Sequence, residues 1–252
     1  MEITIDDESF ERVEVCLLAG KVMLESGAET YRVEDTMSRI ADALGLPHSH
    51  SYVTPTVIMF ATESKDIAKL IRITNRTIDL EKVATVNSIS RNLTGGIITA
   101  EEAFQQLKKV EAAKHTYPIW MQIAASAISS GCFTIMFKGG WIDFIPAMIC
   151  GGLGFTSFVY LQRLLGIKLF AELTASFFIG LFAFILTFVG FGKEANKIII
   201  GSVMPLVPGL LITNAVRDLM AGHLVSGMSK GAEAFLTAFA IGTGIALVFT
   251  IL

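Results

Sequence analysis

Long uncharged runs alternate with short polar segments through the second half of the chain. The runs cover residues 117–137, 144–162, 173–192, 198–216 and 234–252, and each is 19 to 21 residues long. A helix that crosses a membrane needs about 20 such residues. Because lipid offers the backbone no hydrogen bonds, each run must satisfy its own peptide groups, which favours helix. The pattern predicts a membrane domain of five transmembrane helices over residues 117–252.

Shorter periods fill the first 116 residues. Apolar positions recur every three or four residues over 8–26 and 31–44, which predicts two helices. Residues 52–61 and 67–73 are rich in strand-forming side chains and flank a polar turn at 62–66, which predicts a hairpin in which Pro55 marks an edge or a kink. Further helices are predicted from Asp79, a candidate N-cap, to 92, and from Thr99, whose spacing to Glu102 is that of a capping box, to 114. Residues 1–116 are therefore expected to form a small cytoplasmic α+β domain.

Charge is distributed unevenly and gives an orientation. Residues 1–116 hold 13 basic and 18 acidic side chains, whereas residues 117–252 hold 7 and 5. With the first domain inside the cell, Lys and Arg favour the cytoplasmic ends of the runs, as the positive-inside rule requires. The acidic start does not resemble a signal peptide. We therefore expect a multi-pass protein of the cell inner (plasma) membrane, with its N-terminus cytoplasmic and its C-terminus outside.

The fourth uncharged run is broken near its middle. Pro205 and Pro208 each remove a backbone donor, and Gly209 adds conformational freedom before a second half-helix. Discontinuous membrane helices build substrate sites in transporters, because the exposed amides at a half-helix N-terminus attract anions. Thr213 and Asn214 follow within a turn and offer a hydroxyl and an amide. These five residues are the predicted binding site for a substrate carboxylate; a simple proline kink is the alternative.

Ionisable side chains are rare in the second half and are therefore candidates for function. Asp218 lies one turn after Asn214, and Glu172 precedes the third run; either could carry a coupling proton. Arg217 beside Asp218 leaves a surface ion pair open as an alternative. A further polar set precedes the fifth run and could line the transport path: Ser226, Lys230 and Glu233. The alternative is that Lys230 and Glu233, three positions apart, form an ion pair at the membrane interface.

Nothing in the composition indicates a cofactor, a metal site or a nucleic-acid partner. The three cysteines have no metal-ligand spacing, and His48 and His50 have no third ligand nearby. Acidic residues crowd the start of the second helix, at Glu29, Glu34 and Asp35, where they complement the helix dipole. A membrane-anchored hydrolase acting through the first domain remains an alternative, as does a scaffold that the membrane domain only anchors.

Two motifs, in this order and flanking this topology, resemble the threonine/serine exporter family over about residues 8–250. The first is Ser-Gly-Ala-Glu-Thr-Tyr-Arg-Val-Glu-Asp-Thr-Met at 26–37, and the second is Gly-Ser-Val-Met-Pro-Leu-Val-Pro-Gly at 201–209, followed by Asn214, Asp218 and Gly222. The resemblance implies a proton-driven secondary exporter of small hydroxylated amino acids, or of succinate.

The resemblance also implies a partner. A complete family member has a second membrane half, so this chain resembles the larger, N-terminal subunit of a split form. Five spans are also awkward for alternating access, which usually rocks two structural repeats against each other. We expect a separate membrane protein of about four spans as partner, a small carboxylate as substrate, and possible homo-oligomers.

Overall fold

The computed structural model describes residues 7–46, 48–62, 68–113 and 116–251. They form two compact units. The first unit combines the described residues up to 113 with Leu211–Gly231, and the second combines Thr116–Leu210 with residues 232–251. The segment Leu211–Gly231, which the sequence places in the membrane domain, therefore packs with the N-terminal residues.

Helices α1 (Asp7–Glu25), α2 (Thr30–Ala43), α3 (Leu80–Thr94) and α4 (Ala100–Ala112) supply most of the first unit. Their bounds confirm the four predicted helices to within a few residues. Both helix starts predicted from caps are also confirmed: the Asp79 carboxylate accepts from the Lys82 amide at 3.1 Å, and Thr99 and Glu102 form a reciprocal capping box. Fully buried side chains from the helices and the sheet fill the core: Met23, Val33, Met37, Ile40, Ile58, Phe60, Val86 and Leu107.

A three-stranded antiparallel sheet completes this unit. Strands β1 (His50–Thr54) and β2 (Val57–Ala61) pair with each other, and β3 (Lys69–Arg72) pairs with β2. The prediction of one strand over 52–61 was wrong, because Pro55 lies in a tight turn that divides it. Proline fixes a turn-compatible φ and cannot donate to a sheet ladder, so a chain reversal at this position is physically natural. Most of the predicted turn at 62–66 lies outside the described residues.

The second unit is built from apolar helices. Helices α5 (Ile119–Met136), α6 (Trp141–Leu165), α7 (Lys168–Phe188) and α10 (Leu224–Ile251) are each long and apolar enough to cross a membrane. Helices α8 (Ala195–Val203) and α9 (Gly209–Met220) correspond to the fourth run and pass the same test only as a bent pair. From Leu211 onward α9 belongs to the first unit, as does α10 up to Gly231. The described residues thus contain four candidate spans, or five if the bent pair is one. Large apolar side chains on these helices are exposed, including Trp141, Phe188 and Phe235, as expected of a surface that meets lipid.

Small residues let α5, α6 and α8 approach closely. A Cβ added to Gly151 would overlap the Ser130 hydroxyl, and one added to Gly201 would overlap Thr134 and lie 2.8 Å from the Ser130 carbonyl oxygen. The buried hydroxyls at this interface bond to their own helix, since Ser130 donates to the Ser126 carbonyl at 2.8 Å and Thr134 to the Ser130 carbonyl at 2.9 Å. Small residues at Gly151 and Gly201 therefore allow the close helix packing that is common in membrane proteins.

Candidate functional site

The predicted break in the fourth run is confirmed. After α8, Met204–Leu206 form a single 3₁₀ turn, Val207 is extended, and α9 starts at Gly209. The two helical segments differ in direction by 61°. Pro205 and Pro208 account for the break, because neither can continue the α-helical hydrogen-bond ladder. The α9 N-terminus therefore starts without a directly preceding α-helical turn and carries the positive end of the helix dipole. The Gly209 amide itself donates to the Val207 carbonyl at 2.8 Å.

The predicted substrate-binding residues divide between two faces of α9. Gly209 and Thr213 are exposed, and Pro205 and Pro208 are half-buried. Asn214 is buried, and its side-chain amide donates to the Gly27 carbonyl at 2.9 Å. The structure thus leaves the α9 N-terminus accessible but gives the Asn214 amide a partner within the protein.

Asp218 lies at the centre of a buried polar group. Its Oδ1 accepts from the backbone amides of Thr30 at 2.9 Å and Tyr31 at 3.4 Å, and its Oδ2 lies 2.7 Å from the Lys230 ammonium. Asp218 is fully buried, and Lys230 is 5% exposed. We call Thr30, Asn214, Asp218 and Lys230 the cap cluster, because Asp218 caps the N-terminus of α2. Within the cap cluster, Thr30 and Asp218 are 188 positions apart in the chain.

The sequence explains why α2 takes its cap from so far away. Glu29 occupies the N-cap position and makes no side-chain cap hydrogen bond. Without a Ser, Thr, Asp or Asn at that position, the first amides need another acceptor. The Asp218 carboxylate supplies it, and the α2 dipole favours a negative charge there. Lys230 balances this charge and also donates to the Thr30 hydroxyl at 3.2 Å and the Ala28 carbonyl at 3.4 Å.

A second ion pair borders the cap cluster. Arg217 contacts the Glu29 carboxylate, which also lies 3.1 Å from the Arg32 guanidinium. Burial alone would raise the pKa of Glu29, but hydrogen bonds to its own backbone and to Arg217, with the charges of both arginines, hold the pKa below its usual value. Glu29 therefore stays ionised at neutral pH and forms ion pairs with these two arginines.

Glu34 forms a third polar group near the turn between α9 and α10. It accepts from the Val53 amide at 2.8 Å and lies 3.8 Å from the His223 imidazole. Burial raises the pKa of Glu34, opposed by the Val53 hydrogen bond and the charge of His223. Ser226 donates to the Val53 carbonyl at 3.3 Å. Ser226, predicted as a possible path lining, thus contacts strand β1.

The predicted alternative, an ion pair between Lys230 and Glu233, was wrong because each residue pairs with a different side chain. Lys230 pairs with Asp218, while Glu233 lies 3.6 Å from Lys168. The alternative of an exposed Arg217–Asp218 pair was wrong too, because Asp218 is fully buried and Arg217 pairs with Glu29. On a helix, side chains one position apart point in different directions, which separates these neighbours.

Glu172, the other predicted proton carrier, lies between α7 and α10. It is 2% exposed. Its Oε1 accepts from the Thr237 hydroxyl at 3.3 Å and lies 3.6 Å from the Lys168 ammonium. Its Oε2 is buried without a hydrogen-bond partner. The two predicted proton carriers therefore differ sharply in how well their oxygens are satisfied.

Sequence reasoning missed Asp143, a buried carboxylate at the start of α6. Its Oδ1 accepts from the Lys193 amide at 2.7 Å and the Glu194 amide at 3.3 Å, and its Oδ2 accepts from the Gly140 amide at 3.3 Å. Asp143 thereby fixes the loop between α7 and α8. The available signal was a single acidic residue directly before an uncharged run.

The crowded acidic residues of the first unit form ion pairs with arginines. Glu29 contacts Arg32 and Arg217, and Asp35 contacts Arg39 at 2.9 Å. Among the described residues, His, Cys, Asp and Glu form no group of three that could hold a metal ion. Both carboxylates therefore take part in ion pairs, which accounts for the crowding of charge at the start of α2.

Comparison with known proteins decides the family. The family model described as "Putative threonine/serine exporter" matches residues 14–252. The chain belongs to the threonine/serine exporter family. This confirms the resemblance seen in the two motifs. It also makes the chain a multi-pass membrane protein of a transporter family, which does not favour an enzyme.

Curated relatives of this chain include bacterial and fungal proteins. The chain is 26% identical to the probable succinate transporter subunit YjjP of Escherichia coli (strain K12), over 94% of this chain and 93% of that protein. It is 24% identical to the protein of the same name from Klebsiella aerogenes, over 97% and 96%. Pheromone-regulated membrane protein 10 of Eremothecium gossypii is 25% identical over 90% of this chain but 31% of that protein. No solved structure matches.

Proposed function

We propose that this chain is a subunit of a proton-coupled secondary exporter of small carboxylate metabolites. The observation that carries the proposal is the 61° break of the fourth apolar run at Pro205 and Pro208. The α9 N-terminus at Gly209 is exposed, and the positive end of the helix dipole there attracts a carboxylate. Broken helices of this kind form substrate sites in secondary transporters. Pro205, Pro208, Gly209 and Thr213 form the proposed site, with Asn214 holding α9 through Gly27.

Two substrate classes share the chemistry that a helix N-terminus recognises. The family description names threonine and serine, whereas the two bacterial relatives are named as succinate transporter subunits. All three compounds carry the carboxylate that the positive end of the α9 dipole attracts. Amino acids are the leading proposal, and the dicarboxylate succinate is the second, supported by the relatives that match over nearly the whole chain.

The proton path requires an ionisable group that transport can protonate. Asp218 and Glu172 are the buried carboxylates proposed for this role. Ser226, Lys230 and Glu233 are proposed to line the polar path that leads to them. Intramembrane carboxylates carry protons in many transporters, because protonation removes the cost of a buried charge.

A partner subunit and an orientation complete the proposal. The bacterial relatives are named as subunits, so we propose a second membrane protein of about four spans as partner. A homo-oligomer of this chain is the alternative assembly. The positive-inside bias supports a cytoplasmic location for the first unit and an outside C-terminus, in the cell inner membrane.

Gradient-driven transport tests the function. Vesicles from cells that co-express this chain and a candidate partner subunit are loaded in turn with labelled threonine, serine and succinate. We expect a proton gradient to drive transport of at least one of them, and none when this chain is omitted. Pro208→Ala should abolish transport by restoring a helix donor, whereas Pro146→Ala, at the proline inside α6, serves as the matched control. Absence of gradient-driven transport for all three substrates refutes the proposal.

A further inference from the structure

Hydrogen bonding separates the two buried carboxylates that could carry a proton. Both Asp218 oxygens are satisfied, by two backbone amides and one ammonium. Protonating Asp218 would leave Lys230, itself 5% exposed, as a buried charge without its counter-ion. Such an arrangement is costly to disturb. A group fixed in this way suits a permanent structural contact better than repeated protonation.

Glu172 presents the opposite arrangement. Its Oε2 is buried and has no hydrogen-bond partner, and its Oε1 has a single hydrogen bond, from Thr237. A buried carboxylate oxygen without a donor is unfavourable, and binding a proton removes the charge of the carboxylate. The Thr237 hydroxyl suits both protonation states, because it can donate to the carboxylate or accept from the neutral acid.

Two other charged groups lie near Glu172. Lys168, on α7, lies 3.6 Å from Glu172 and also 3.6 Å from Glu233, on α10. The Lys168 and Glu233 side chains are 45% and 37% exposed. Lys168 is therefore shared equally between the two carboxylates. The buried acid thus lies one side chain away from solvent-accessible groups.

We propose that Glu172 is the residue that binds and releases the coupling proton, with Thr237 as its hydrogen-bond partner and Lys168 shared between Glu172 and Glu233. Asp218 acts instead as a positioning residue that holds α2 against α9 and α10. This inference rests on the proposed function and assigns its proton to one side chain. A proton enters as the Glu172 carboxylate becomes neutral and leaves as the charge returns; no other bond changes.

Transport by the reconstituted complex tests the assignment. One proton per substrate and a pH difference of about 2 units allow about a hundredfold accumulation. We expect the wild type to accumulate labelled succinate or threonine in this way. Glu172→Gln should show no accumulation but still exchange labelled for unlabelled substrate. Glu194→Gln, which removes an exposed carboxylate of the same unit, is the matched control. Wild-type accumulation by Glu172→Gln, or loss of exchange in a folded complex, overturns the inference.

A chemical readout on this chain alone separates the inference from the proposed function. Dicyclohexylcarbodiimide, an apolar reagent, modifies protonated carboxyl groups. We expect mass spectrometry to find the adduct at Glu172, decreasing as pH rises, with Thr237→Val shifting the pH midpoint. An adduct at Asp218 and none at Glu172 overturns the inference. If the wild-type complex transports nothing, the proposed function fails, and the labelling still decides whether Glu172 takes up a proton.

Discussion

Asp218→Asn is expected to lower the free energy of unfolding by about 3–5 kcal/mol, the usual cost of breaking a buried ion pair. The asparagine keeps the volume and can still accept from the Thr30 amide through one oxygen. Its NH₂ group then faces the Lys230 ammonium, so two donors oppose each other where a 2.7 Å ion pair stood. Because native proteins are stable by only about 5–15 kcal/mol, much of the folded population should be lost.

Thermal unfolding of the purified chain in detergent measures this effect. Asp35→Asn is the matched control, because it breaks an exposed pair with Arg39 that should contribute less than about 1 kcal/mol. Replacing both partners, as Asp218→Leu with Lys230→Met, should recover part of the loss by removing the unpaired charge. Equal unfolding temperatures for Asp218→Asn and Asp35→Asn would contradict the structural role of the cap cluster.

Gly201→Ala is expected to disrupt the packing of α5 against α8. In an ordinary helix interior, alanine is more favourable than glycine by about 1 kcal/mol. Here the new Cβ would lie 2.7 Å from the Thr134 amide nitrogen and 2.8 Å from the Ser130 carbonyl oxygen. Backbone atoms cannot move aside as a flexible side chain can, so the helices must separate. Overpacking of this kind typically costs about 1–3 kcal/mol or more.

Gly242→Ala provides the matched comparison, since a Cβ at that position on α10 meets no atom within 4 Å. We expect Gly242→Ala to leave the unfolding temperature unchanged or raise it slightly, and Gly201→Ala to lower it and reduce the yield of monodisperse protein. Fluorescence-detected size exclusion and thermal unfolding measure both quantities. If the two alanine variants behave alike, the close approach of α5 and α8 is not a determinant of this fold.

Local patterns account for most of the elements that the sequence predicted. The 3.6-residue period located α1 and α2, cap chemistry located the starts of α3 and α4, and the two prolines located the break before α9. These features depend on neighbours within one or two turns. Division of the predicted strand at Pro55 was missed because an edge proline and a turn proline look alike in sequence.

These local patterns do not predict contacts between residues far apart in the chain. Asp218 was recognised as a functional candidate, but nothing local indicates that it caps a helix 188 positions earlier. One signal was present: α2 begins after Glu29, a weak N-cap residue, so a carboxylate from another segment was needed. The Glu172–Thr237 contact is also non-local, since the two residues are 65 positions apart. The sequence shows only that the third and fourth uncharged runs lie between them.

The cap cluster limits how α9 can move. Asn214 and Asp218 fix its buried face to the α1–α2 turn through the Gly27 carbonyl and the α2 amides. A rotation of α9 about the break must either carry the N-terminus of α2 with it or expose the buried Asp218–Lys230 pair. The first alternative is cheaper, because exposing either charge breaks several hydrogen bonds at once. In the proposed exporter, α9 and the first unit therefore move together.

Substrate protection of a cysteine at position 209 tests the central claim, that the α9 N-terminus binds the exported carboxylate. Gly209→Cys is made in a Cys132→Ser background, because Cys132 is exposed whereas Cys16 and Cys150 are buried. In the assembled complex, the transported carboxylate at about ten times its dissociation constant should slow maleimide labelling about tenfold by occupying the site. Gly242→Cys should show no such protection. A transporting complex in which substrate leaves the labelling of position 209 unchanged would contradict the account.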